Sequence, residues 1–378
     1  MDLDWTEEEH AFRAELRAFI DAHRRPRWTH RQRDMPEPED IDAVRAFCAA
    51  MGDAGLLTPN WPAEYGGRDA SPWEQAIVSE ELWAAGEPRG PQYMNVNWIG
   101  PAIMTAGTDA QKRFHLSRIS SGEAMWCQGF SEPGAGSDLA SLRTTAVRDG
   151  DVYVVNGQKV WTSYAHAADY CFLLARTDPS TSGAEGISAL LVPMDLPGIE
   201  VRPIANPWVP HLVHETWFTD VPVPVDCLLG AENQGWEIVR QILANERVGV
   251  ARHENAERTL DAAVASAGAA IDDPSVLEEV GMAYATCEAA RALNYAAVQE
   301  RVLGLDSRRP TAAVSRAVTG PMESRVARAC AEVLGPAGLE QGSVAERQLV
   351  WGTTSPIAAG SYEVQLNLIA RHLGLPKG

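Results

Sequence analysis

The sequence is short of positive charge. Lys and Arg together number 32 against 51 Asp and Glu, a formal charge of −19 at neutral pH. A nucleic-acid binder needs a basic face to neutralise phosphates, and an anionic membrane surface selects the same kind of face. No nucleic acid and no membrane are therefore expected as partners. Long apolar runs are also missing, because stretches such as 262–271 are too short to span a bilayer. The six cysteines, Cys48, Cys127, Cys171, Cys227, Cys287 and Cys330, contain no C-x-x-C pair. That excludes a zinc ribbon or a small disulfide scaffold, so no metal site is expected and the thiols read as reduced and mostly buried. The first residues, MDLDWTEEEH, are acidic and polar, unlike a signal peptide. A cytoplasmic protein is the expectation that these absences leave.

Several nucleotide and hydrolase signatures are absent too. Gly134-Ala135-Gly136 starts like a dinucleotide fingerprint, but Leu139 stands where the third glycine belongs. There is no G-x-x-x-x-G-K-[ST] loop and no G-x-S-x-G elbow. His211-Leu212-Val213-His214-Glu215 has its Glu in the wrong place for a metal helix and reads as extended.

What is present falls into an order. The chain has 378 residues, enough for two or three packed units, and an apolar fraction of 45% that is ordinary for a globular protein. Helical signal dominates first: Thr6 with Glu9 forms a capping box, and Phe12, Leu16, Phe19 and Ile20 follow at helical spacing. Helical runs recur around 73–85 and 109–117. From about Ala124 the style changes to short strands between Gly, Pro and Ser clusters, at 151–156, Tyr170–Arg176, Ile187–Pro193, 215–218 and 221–225. From Gly235 onward the chain is helical again. Helices, then strands, then helices is an α+β order, unlike a doubly wound sheet.

Three segments carry candidate chemistry. Residues 127–138, CQGFSEPGAGSD, combine a backbone-led turn with the short polar side chains Ser131, Ser137 and Asp138. Such a loop can aim consecutive N–H groups at an electron-rich ligand, or it is a plain connection. Residues 156–163, NGQKVWTS, place Trp161 either in a core or over a planar heterocycle. In the helix that starts at Gly235, Glu246 interrupts the apolar stripe of Val239, Ile242, Leu243 and Val250. A carboxylate there is paired with a buried Arg, lies at the edge of the stripe, or has the raised pKa of a base.

Taken together, these residues resemble the acyl-CoA dehydrogenase family over nearly the whole chain. The resemblance runs through Phe130-Ser131-Glu132-Pro133-Gly134-Ala135-Gly136-Ser137-Asp138, Asn156-Gly157-Gln158-Lys159, Trp161 and Ala175-Arg176-Thr177-Asp178. It continues in Val221-Pro222-Val223-Pro224, Asn233, Gly235-Trp236, Asn245-Glu246-Arg247 and residues 360–365. It implies an N-terminal helical domain over 1–122, a middle β-barrel-like domain over 123–228 and a C-terminal four-helix bundle over 229–378. It implies FAD along the loop of Phe130, Ser131, Gly136 and Ser137, with Trp161 covering the ring, Ser163 bonded to flavin N5, and Ser361 as a further cofactor contact. The implied reaction is α,β-dehydrogenation of an acyl-CoA, in which a base takes the α-proton and the β-hydride passes to N5. The partners implied are an acyl-CoA substrate, an electron-accepting flavoprotein and a homo- or hetero-oligomer, dimer or tetramer.

Two departures shape the expectation. Most of the family carries the base as a late Glu, where this chain has Ala359; a minority places it earlier, where this chain has Glu246. Glu246 is therefore the expected base. The backbone N–H at Ala359 is the expected donor to the thioester oxygen, and Arg247 the expected local positive charge for the anionic substrate. The chain also lacks the family's R-x-x-F-G segment, and Glu332 replaces a Gln in the later pyrophosphate-binding segment. That points to a hetero-oligomer whose other subunit holds the ADP half of FAD. The alternatives are a dehydrogenase of carrier-protein-bound acyl groups, a non-catalytic subunit of such a complex, and a flavin oxidase or monooxygenase. The displaced base favours a branched, long or polycyclic acyl group.

Overall fold

The computed structural model describes residues 5–25, 28, 38–206, 212–246, 251–305, 309–358 and 360–375; at 38, 39 and 241–246 it describes the helical backbone without the side chains. Packing divides the chain into two compact units. One comprises Met1–Asp34, Ala70–Pro88 and Glu246–Gly378, and the other Met35–Asp69 and Arg89–Asn245.

The first unit is helical. Its opening helix, Glu7–His23, has the expected capping box: Thr6 accepts from the Glu9 N–H, and the Glu9 carboxylate accepts from the Thr6 N–H. Leu16 and Ile20 are buried, and so is Arg13. A buried guanidinium requires partners, and they come from the helix Pro72–Ala84. Arg13 donates to Glu80 and, at 2.9 Å, to Glu81, which also pairs with Arg17 at 2.6 Å. His253, on the helix Arg252–Ala265, lies 3.8 Å from Glu80 and 3.4 Å from Glu254. Arg291 joins Glu254, Glu257 and Glu288. Glu80, His253 and Glu254 offer ligand atoms within 4.8 Å of one another, but guanidinium groups already hold both carboxylates, so charge is balanced within the protein. The apolar core of this unit is built from residues on facing helices, among them Leu260, Ala283, Cys287, Met322, Val326 and Cys330.

The second unit contains the sheet: β1 Trp126–Gly129, β2 Thr145–Asp149, β3 Val152–Ser163, β4 Tyr170–Arg176, β5 Ile187–Pro193, β6 Ile199–Pro203, β7 Val213–Pro224 and β8 Leu228–Leu229. The order is β6-β7-β3-β2-β4-β5-β8, with β1 pairing β4 in parallel, and among the described residues the sheet does not close. β4 and β5 occupy the residues that the apolar runs predict. The strand expected at 151–156 continues to Ser163, and the two short runs at 215–218 and 221–225 join into one strand, β7. The break between them is a bulge rather than a turn. Asp220 has φ +48°, and Asn156 exchanges two side-chain hydrogen bonds with it, at 3.0 and 2.9 Å. The extended reading of 213–215 agrees with β7, while His211 lies outside the described residues.

Candidate active site

The loop 130–137 leaves the end of β1. Gly129 packs closely there: a methyl group would lie 2.8 Å from the Cys171 sulfur. Glu132 and Ala135 then close the turn with reciprocal backbone hydrogen bonds of 3.0 Å. Beneath the turn the Glu132 carboxylate accepts from the N–H groups of Arg143, at 2.7 Å, and Thr144, at 2.8 Å, and from Lys159 Nζ at 2.8 Å. Burial would raise the Glu132 pKa, but the Lys159 charge and these donors outweigh it and hold the carboxyl below its usual range. Burial pulls the Lys159 ammonium down, and Glu132 opposes that shift. We read the pair as ionised, because the two backbone donors favour the carboxylate form.

The upper face of the loop is open. Gly134 and Gly136 have ordinary negative φ, and a methyl group on either would meet nothing within 4 Å. The chain's own packing and backbone therefore do not require glycine at these positions. A ligand lying against the backbone would. Among the described residues the N–H groups of Ser131, Gly134, Gly136 and Ser137 find no protein acceptor, and the hydroxyls of Ser131 and Ser137 have no protein partner. Four such donors suit an electron-rich or anionic ligand, so the residues present fit a flavin nucleotide. Phe130 turns its ring edge to Phe172, with centroids 5.7 Å apart.

Trp161 is the second signal. It sits in β3 at φ +60°, at a register shift between Lys159 and Thr162, with 55% of its surface exposed. A bulky residue in the left-handed region costs about 1–3 kcal/mol and concentrates at ligand clamps. Ser163 ends the strand opposite Val213 and is half-buried. Sequence reasoning missed the support below these residues. Lys159 is one part of it. Arg176 is another: its guanidinium donates to the carbonyls of Ala140, Leu142, Gly183 and Glu185 at 3.1, 3.3, 3.0 and 2.6 Å, anchoring the segment that follows the loop. Both residues stand in the motifs quoted above, but nothing in their spacing says that their charges are buried.

Glu246 is the last residue of the helix Gly235–Glu246. The start of that helix is pinned to β5, where Asn233 accepts from the Thr177 hydroxyl at 2.7 Å and donates its N–H to Ser188 Oγ at 2.7 Å. A helix of this length carries its last residue about 16 Å from its first. The side chain of Glu246 and all of Arg247 and Ala359 lie outside the described residues. Ser361 caps the helix Tyr362–His372 by accepting from the Val364 N–H. Just before it, Arg316 donates to the carbonyls of Ser355 and, at 2.6 Å, Ala358.

A three-domain dehydrogenase chain is the class that this order and this loop define, and the comparisons agree. Residues 6–123, 127–219 and 233–374 match the acyl-CoA dehydrogenase N-terminal, middle and C-terminal domains. The chain is 35% identical to the acyl-CoA dehydrogenase IpdE1 of Mycobacterium tuberculosis over 353 residues, 90% of each chain. Among solved structures it superposes on the Tcur3481-Tcur3483 steroid ACAD with a TM-score of 0.90 at 32% identity, covering all of both chains. It superposes on the ChsE4-ChsE5 complex from Mycobacterium tuberculosis with a TM-score of 0.87 at 33% identity, again covering all of both. The chain belongs to the acyl-CoA dehydrogenase family. It is an oxidoreductase of FAD-dependent acyl-CoA dehydrogenation, and these likenesses favour neither the carrier-protein reading nor the non-catalytic one. No helix among the described residues is long and apolar enough to cross a membrane.

Proposed function

We propose that Glu246 is the base that removes the α-proton of a bulky, steroid-like or branched acyl-CoA. One observation carries this: Ala359, at the family's usual base position, has no group that can take a proton, and Glu246 stands at the earlier position. Arg247 supplies positive charge for the substrate. The backbone N–H of Ala359 holds the thioester oxygen as negative charge develops on it, a donor that survives loss of the side chain. Phe130, Ser131, Gly136 and Ser137 hold the flavin along the loop, Trp161 covers its ring, and Ser163 and Ser361 add contacts. FAD, when bound, supplies the acceptor for the β-hydride. The steroid ACAD likeness supports the substrate class.

In the same reading, the chain works beside a different subunit that holds the ADP half of FAD and passes electrons to a flavoprotein acceptor. The missing R-x-x-F-G segment, Glu332, and the likeness to Tcur3481-Tcur3483 and to the ChsE4-ChsE5 complex support this. Its domains are cut near 123 and 229, an assignment supported by the three matched regions, with a barrel-like middle domain and a four-helix bundle at the end. Six free thiols suit a cytoplasmic location.

The test is Glu246→Gln. We expect turnover to fall by roughly 10²- to 10⁴-fold, the range of a lost general base, while the flavin absorbance stays. Unchanged turnover overturns the assignment.

A further inference from the structure

The ion pair under the loop does more than tie two strands. Lys159 is 0% exposed and Glu132 8%, with Nζ and Oε1 2.8 Å apart. Nζ also donates to the Phe130 carbonyl at 3.1 Å. That carbonyl shares one peptide group with the Ser131 N–H, and no peptide among the described residues is cis. In a trans peptide the C=O and N–H point in opposite directions. The Ser131 N–H finds no acceptor among the described residues and lies in the loop whose upper face is open. A cation at the oxygen end of a peptide strengthens the donor at its nitrogen end, and burial keeps water from screening the effect. The Arg143 and Thr144 N–H groups hold Glu132 in place. The ammonium is thus fixed on the Phe130 carbonyl, with its buried counter-charge beside it.

We propose that Lys159 is a positioning residue that raises the reduction potential of the flavin held on this loop, by polarising the Phe130–Ser131 peptide toward a ring that gains negative charge on reduction. The inference rests on the reading of residues 130–137 as the flavin loop. It predicts that losing the buried cation by either route lowers the potential. Removing the cation in Lys159→Gln keeps a donor for the Phe130 carbonyl and lowers the potential. Removing the counter-charge in Glu132→Gln leaves burial to drive the proton off Lys159, so the cation is lost and the potential falls as well. A merely structural tie moves the FAD dissociation constant and the melting profile and leaves the potential in place.

The experiment measures the two-electron potential of the purified holoenzyme by equilibration with a reference dye, with the FAD dissociation constant and the melting profile alongside. We expect a tenfold or larger shift in the redox equilibrium, about 30 mV for a two-electron couple, downward for both Lys159→Gln and Glu132→Gln. If a single variant does not fold, the double variant Lys159→Gln/Glu132→Gln removes both charges together and is read instead, with a lowered potential expected. A potential equal to or above that of the unaltered enzyme in either single variant overturns the proposal. Gly136→Val separates the two levels of the argument. If it releases FAD while the Lys159 variant leaves the potential unmoved, the inference alone fails. If neither change affects the flavin, the loop reading fails and takes the inference with it.

Discussion

Gly235 packs directly against Ser188: a methyl group on Gly235 would lie 2.5 Å from the Ser188 carbonyl carbon. This contact, with the Asn233 hydrogen bonds beside it, fixes where the helix ending in Glu246 begins. Gly235→Ala should push the helix start off β5. Overpacking of this kind costs roughly 1–3 kcal/mol, and the displaced helix carries the proposed base with it. We expect a lower melting temperature and a fall in kcat with flavin content retained. A variant with the melting temperature and kcat of the unaltered enzyme rejects this account.

Gly136 should behave in the opposite way. Its side-chain direction is open and its φ is ordinary, so Gly136→Val should leave the melting profile of the flavin-free protein unchanged. A side chain there occupies the space against the loop backbone, and FAD affinity should drop by about tenfold or more, since 1.4 kcal/mol of lost contact suffices for that. Flavin titration followed by fluorescence measures it. Full FAD affinity in the variant places the flavin elsewhere.

His115 predicts an acid-side loss of stability. It is buried against Trp126 and Tyr170, with ring centroids 5.0 and 5.1 Å away. Burial, helped by the Arg118 charge, lowers its pKa to about 4. The unfolded chain therefore binds a proton between about pH 6.5 and 4 that the folded chain does not. Stability is full above that window and falls through it, at up to about 1.4 kcal/mol per pH unit for one proton. Urea unfolding midpoints between pH 7.5 and 5 should show this slope, and His115→Leu should flatten it. Equal slopes in both proteins exclude His115 as the source.

His253 has the opposite sign. Burial alone would lower its pKa, but the hydrogen bonds and charges of Glu254 and Glu80 raise it overall. Arg13 and Tyr295 act on Glu80, and Arg291 on Glu254. The folded state holds this proton more tightly than the unfolded chain, so the stabilisation is complete below about pH 6.5 and disappears as pH rises through the folded value. Melting temperatures from pH 6 to 9 should fall further in the unaltered protein than in His253→Gln. Parallel curves remove His253 from the network's pH response.

Much was legible in the sequence because the forces concerned act over a few residues. The capping box of Thr6 and Glu9 is one turn long. β4 and β5 are continuous apolar runs bounded by turn residues, and a strand buried on both faces needs no partner information to be recognised. Scattered cysteines predict free thiols, and all six are free. Composition singles out the loop glycines and Trp161; the open directions at Gly134 and Gly136 and the positive φ of Trp161 support the proposed ligand site without testing it.

What only the tertiary structure decided depends on partners distant in the chain. Arg13 and Lys159 are charged residues that local pattern assigns to the surface. Each is buried because a carboxylate, 67 residues away at Glu80 and 27 away at Glu132, meets it there. The break at Asp220 looks like a turn until Asn156, 64 residues earlier, completes the bulge. Periodicity reports which face of an element is apolar. It does not report which long-range pair removes the cost of burying a charge, and in this protein one such pair, Lys159 with Glu132, lies at the candidate flavin loop.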